Sequence, residues 1–150
     1  MIVTAKKLAN ASPKKPRQAD LKRAISTAYY ALFHAMAKDA ADMLVGVGPN
    51  RPDKAWSHLY RSLQHSDAKN ACQGVRNFSF PVSIQSCADA FITLQQKRHD
   101  ADYDPDFRVL RADAMDSIQM AESAIRDLRA TSRKDRQAFA IQLLLKRRRA

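Results

Sequence analysis

Only three glycines occur among the 150 residues, too few for the tight hairpin turns on which a sheet protein of this size depends. That scarcity argues against an all-β fold. The two cysteines, Cys72 and Cys87, form no CxxC pair and share no ligand-like spacing with any of the four histidines, so neither a disulfide framework nor a zinc site is indicated. They read as small core residues. No run approaches the roughly 20 apolar residues of a membrane span, and Met1-Ile2-Val3-Thr4-Ala5-Lys6-Lys7 lacks the long apolar stretch and cleavage site of a secretory leader. A reduced cytoplasm is the expected setting, with no metal or other cofactor.

What the chain does have is alanine, leucine, glutamine, lysine and arginine, the strong helix formers. With 45% apolar and 27% charged residues it lies in the globular range, and its length suits one domain. The formal charge of +11 is unevenly placed. Residues 1–23 carry seven basic side chains against Asp20, and residues 126–150 carry nine against Asp127 and Asp135. Residues 24–125 carry ten against twelve acids. Basic ends of this kind suit an anionic partner, most simply nucleic acid, because clustered Lys and Arg release counterions from phosphates. A solvated basic surface that only aids solubility is the alternative.

Hydrophobic spacing predicts an all-α protein. A short helix is expected at about residues 3–9, ended by Ser12-Pro13-Lys14-Lys15-Pro16. A long one follows at 18–44, with Leu21, Ile25, Ala28, Leu32 and Ala35 on its inner face and Tyr29, Phe33, Met36 and Ala40 widening the stripe. Beyond Gly46-Val47-Gly48-Pro49, Asp53 is a plausible cap for a third helix at 53–71, whose inner side would hold Trp56, Leu59, Tyr60 and Leu63. Residues 74–81 read as a loop, with a short extended stretch at 75–80 as a second option. Further helices are expected at 82–102 and 107–128, separated by Pro105. Short connections favour antiparallel neighbours, hence an up-and-down bundle of four to five helices over residues 1–130. Residues 131–150 read as a basic extension, either an amphipathic helix docking on a partner or a frayed tail.

Two sets of residues are suited to chemistry. On the helix at 82–102, Ile84, Cys87, Phe91 and Leu94 recur at steps of three and four, and the next position on that stripe is Arg98. A guanidinium ending an apolar face asks for a carboxylate, a phosphate or a partner subunit, and Asp102 one turn later can pair with it. A snorkelling arginine at a helix end is the other option. On the long helix, Arg23, Thr27, Tyr30, His34 and Lys38 are spaced by four, three, four and four, a polar strip combining a cation, hydroxyls and an imidazole. Such groups hold phosphates and move protons, although most polar strips simply face solvent. His58 and His65 read as surface or boundary residues.

The segment Ala28-Tyr29-Tyr30-Ala31-Leu32-Phe33-His34 resembles the second-helix signature of HEPN domain proteins. Arg98-His99-Asp100-Ala101-Asp102-Tyr103-Asp104, followed by a helix with Ala121-Glu122-Ser123-Ala124-Ile125, is similar to the second half of the same branch. The resemblance implies an antiparallel helical bundle, typically a homodimer with two sites facing each other across its axis, and metal-independent RNA cleavage as a toxin or defence effector. Family active sites carry an arginine, four to six arbitrary residues and a histidine. Arg98 fits the first position, but Tyr103 stands where the histidine is expected and no histidine follows. His99, beside the arginine, lies about 100° round a regular helix. The expected assignment is therefore Arg98 as the cation for the phosphate, His34 or His99 as the proton shuttle, Tyr103 and Tyr30 orienting the phosphate, and Arg23, Thr27 and Asp102 supporting it. The alternative is a non-catalytic module that binds nucleic acid, a nucleotide or a nucleotidyltransferase-type antitoxin that modifies a tyrosine in the place of Tyr103.

Overall fold

The computed structural model describes residues 1–12 and 14–148. They form seven α-helices and no strand: α1 Ile2–Ala9, α2 Gln18–Leu44, α3 Asp53–Ser62, α4 His65–Gln73, α5 Val82–Tyr103, α6 Arg111–Ala130 and α7 Arg133–Leu144. The all-α expectation holds; six of the helices lie within residues 1–130, one more than the upper end of the count expected there. No helix is long and apolar enough to cross a membrane among the described residues.

α2 is the axis of the bundle and packs against α1, α3, α5, α6 and α7. Leu21, Ile25, Tyr29, Leu32 and Met36 are fully buried along it, with Ala24 and Ala28 letting neighbouring helices approach closely. Ile84, Cys87, Phe91 and Leu94 of α5 are fully buried, as their spacing predicts, and Ile118 and Leu128 of α6 close the core. Cys72 and Cys87 are free and buried. Burial pushes the thiol of Cys87 up to about 12 and that of Cys72 higher still, so both are inert packing groups. After α2 the chain turns through Gly46 and Gly48, whose φ of 120° and 92° lie where a side chain is strained.

The single helix expected at 53–71 is two. The backbone is extended at Leu63 and Gln64, because Leu63 turns inward to join the core while Gln64 takes the cap position of α4. Pro52 occupies the cap position of α3, and Asp53 is its first helical residue, where its charge favours the helix dipole. α3 has no fully buried residue; Trp56, Leu59 and Tyr60 are its half-buried side, with Trp56 Nε1 donating to Asp42 of α2 at 2.9 Å and Tyr60 packed against the core. In place of an extended stretch at 75–80, Val75–Asn77 is a 3₁₀ turn with Val75 in the core.

The expected helix at 107–128 starts at Arg111, where the Asp113 carboxylate accepts the Leu110 N–H at 3.0 Å. The preceding loop is pinned by Gln18, whose side chain donates to the Val109 carbonyl at 2.8 Å and accepts the Val109 N–H at 2.9 Å.

The apolar part of 131–148 is also corrected: it docks on its own bundle. Ser132 Oγ caps α7 by accepting the Asp135 N–H, and Phe139, Ala140 and Leu143 are buried where α7 lies on α2 and α4. Arg136 is paired with Asp39 of α2, its Nε donating to Asp39 Oδ1 at 2.8 Å. Packing is continuous across the residue 130 boundary expected from the sequence.

Candidate functional site

Because α5 buries Ile84, Cys87, Phe91 and Leu94, its last turn carries Arg98 over the rim of the core with the side chain 18% exposed. Its Nη2 donates to Tyr30 Oη at 3.0 Å, and Nε lies 3.3 Å from Asp102 Oδ2. That N–H is not aimed at the carboxylate, so Nε has an ion-pair neighbour but no hydrogen-bond acceptor. Asp102 is held from the other side by the buried Ser26, whose Oγ donates to Oδ1 at 2.5 Å. The guanidinium carbon sits 5.4, 5.5 and 5.9 Å from the rings of Tyr29, Tyr30 and Tyr103, within cation–π range of all three. The hydrogen bond to Tyr30 leads the effects that hold Arg98 above its ordinary pKa, so it is a fixed cation. Of the two options for this arginine, the paired one is realised.

Tyr30 joins Arg98 to two imidazoles. His34 lies 6.3 Å away, stacked, and His65 meets the Tyr30 ring edge-on at 5.9 Å. His34 Nδ1 is hydrogen-bonded to Tyr60 Oη of α3 at 2.8 Å, and the two rings stack at 6.0 Å. The polar strip therefore does not face Arg98 as a whole: Tyr30 touches it, His34 turns towards α3, and Arg23 is exposed. Thr27 is half-buried, and neither it nor Arg23 makes a side-chain hydrogen bond to this cluster among the described residues. His99 is exposed on another face of α5, its ring 5.0 Å from that of Tyr103, which is 66% exposed.

Several members of the cluster were missed. His65, read as a surface or boundary residue without a role in the site, is half-buried, stacks on Phe33 at 4.0 Å, and its Nδ1 lies 2.6 Å from the buried Tyr29 Oη. Gln95 Nε2 donates to Tyr29 Oη at 3.4 Å and to the His65 carbonyl at 3.2 Å. Burial raises Tyr29 to about 12, partly offset by Arg98, so the phenol keeps its proton at neutral pH and can donate it to His65 Nδ1. Burial, then the charges of Arg98 and His34, lower the pKa of His65. A neutral His65 accepting at Nδ1 carries its proton on Nε2. One signal was available: a tyrosine placed on an apolar stripe asks for a partner for its hydroxyl.

Beside Arg98, α4 and α5 border an open groove of about 910 Å³, lined by Lys69, Gln73, Gln96, Lys97, Arg98 and His99 among others. Among the described residues, no three His, Cys, Asp or Glu side chains converge in a way that would hold a metal ion. The cluster thus offers a fixed cation, phenol hydroxyls and imidazoles, a set able to bind a phosphate and move a proton. Comparison with protein-family models, with curated proteins and with solved structures finds no match to this chain.

Proposed function

We propose that this protein is an RNA-directed helical-bundle protein of the HEPN kind, and that it cleaves RNA without a metal around Arg98. The observation that carries the reading is the preorganised guanidinium, fixed by Tyr30 and Asp102 at the rim of the core with one N–H left without an acceptor. A cation already oriented before the substrate arrives favours the charge that develops on phosphorus and its oxygens in the transition state.

In this mechanism a base removes the proton of a ribose 2′-hydroxyl, the oxygen attacks the adjacent phosphorus, and the 5′-oxygen leaves with a proton from an acid. The products are a 2′,3′-cyclic phosphate and a 5′-hydroxyl, and no net proton is consumed. His34 suits the base in the tautomer that donates Nδ1–H to Tyr60 Oη, which leaves the lone pair on Nε2. Arg98 holds the phosphate, Tyr30 orients it, and the histidine that acts as shuttle, His34 or else His99 beside the exposed Tyr103, returns the proton to the leaving oxygen. A homodimer would set two such centres across a two-fold axis. In EDTA, wild type is expected to cut labelled RNA, Arg98→Ala to lose cleavage, and His34→Ala to lose most of it. RNA left intact by wild type at high protein concentration overturns the nuclease reading.

One observation favours a second reading. Among the described residues no histidine is hydrogen-bonded to Arg98, and Tyr103 stands open to solvent where a nucleotidyltransferase-type partner can reach its hydroxyl. A non-catalytic module modified at Tyr103 would bind RNA without cutting it, and the partner enzyme would add mass to wild type but not to Tyr103→Phe.

A further inference from the structure

The positive charge of the sequence is concentrated at its two ends, yet the groove beside Arg98, in the acidic middle of the chain, is lined by cations. Residues 24–125 hold ten basic and twelve acidic side chains. Within that stretch, the groove between α4 and α5 is lined by Lys69, Lys97, Arg98 and His99, and no carboxylate is part of the lining. The acids of α5 near this end are engaged: Asp100 accepts from Gln96 Nε2 at 2.9 Å, and Asp102 pairs with Arg98. Asp67 of α4 lies 3.6 Å from Lys146. A slot with cations along it and its carboxylates held aside is complementary to a polyanion.

Two further features narrow the ligand. Gln73 and Gln96 bring amide donors and acceptors of the kind that read base edges, and these edges are accessible only when bases are unpaired. At the Arg98 end, the exposed ring of Tyr103 beside His99 offers a flat face on which a base can stack. We infer that the α4–α5 groove is the binding track for single-stranded RNA, with Lys69 and Lys97 following the backbone to Arg98 and Tyr103 stacking one base. The inference rests on the RNA-directed reading above and adds where the strand runs: along this groove, not along the basic C-terminal segment.

The test is fluorescence anisotropy with a labelled 2′-O-methyl RNA of about 12 nucleotides, which cannot be cut and so separates binding from cleavage. Lys69→Gln/Lys97→Gln replaces one exposed and one half-buried side chain, neither in a side-chain hydrogen bond or ion pair among the described residues, so the variant is expected to keep the wild-type circular dichroism spectrum. It should bind about tenfold more weakly, with a salt dependence shallower by about 1.4, two lost phosphate contacts at ~0.7 each. Lys146→Gln/Arg147→Gln/Arg148→Gln should bind as wild type. Wild-type affinity in the groove variant, with the loss appearing in the C-terminal variant, overturns the track. Equal affinity for a blunt duplex overturns the single-strand assignment. Wild type that binds no RNA even at low salt overturns the RNA-directed reading itself.

Discussion

Arg98 and Arg136 are both mostly buried arginines beside an aspartate, yet they are used differently. Arg136, 21% exposed, reaches across from α7 to Asp39 of α2, whose side chain is 8% exposed. Its partner lies 97 residues away in sequence, so the pair fastens one helix to another. Burial still raises the Asp39 pKa despite the hydrogen bond and charge of Arg136, which marks a site that desolvates its ions. Arg98 has its aspartate on its own helix, one turn on and 33% exposed, and shares it with Ser26. Its hydrogen bond to Tyr30 also joins two helices, but α5 is buried on the core through Phe91 and Leu94 as well, and the Arg98 Nε–H keeps no acceptor. The first arginine is committed to the fold; the second is the one that the proposed function uses.

The contrast is open to direct attack. The largest effect belongs to the α7 side, where Phe139→Ala should cost about 4 kcal/mol by the cavity it leaves, read from urea unfolding. A loss well under half of that would mean that α7 is only loosely docked. Arg136→Gln strands the Asp39 carboxylate and should cost about 3 kcal/mol in the same assay. Arg98→Gln should cost only about 1 kcal/mol, the scale of one hydrogen bond, while lowering RNA cleavage by about a hundredfold or more. If Arg98→Gln destabilises as much as Arg136→Gln, the two arginines are not different in kind.

The smallest effect concerns His65. Its folded pKa lies below the ordinary value of about 6.5, so on acidification the unfolded chain takes up the proton first. The resulting stability is fully present above about pH 6.5 and is lost as the pH falls below it. Unfolding measured between pH 8 and 5 should show this decline in wild type, flattened in His65→Gln. An unchanged slope in that variant would place the decline on another group.

The same two regions show how far the sequence could be read. Period and spacing located α2 and α5, because Leu21, Ile25, Leu32 and Phe91 are local consequences of one helix facing one core. Arg98 stood out for the same reason, as a charge at the end of an apolar stripe, and Asp102 and Tyr30 were correctly placed beside it. The missing pieces depend on contacts distant in sequence. Asp39 and Arg136 are 97 residues apart, and neither motif nor period links them. His65 joined the site only because the chain breaks at Leu63 and turns α4 back over Phe33, a tertiary event that helix propensity does not encode. At the end of the chain an amphipathic helix was one of the options, but not the surface it covers: Phe139 and Leu143 are buried where α7 lies on α2 of the same chain, again a contact distant in sequence.

The most direct measurement sets Arg98→Gln and Arg136→Gln side by side, with thermal melting and RNA cleavage in EDTA recorded on each at a temperature where both are folded. The account predicts that Arg98→Gln melts close to wild type and no longer cuts, whereas Arg136→Gln melts well below wild type and cuts normally. Cleavage retained by Arg98→Gln, or lost only through unfolding in both, would contradict it.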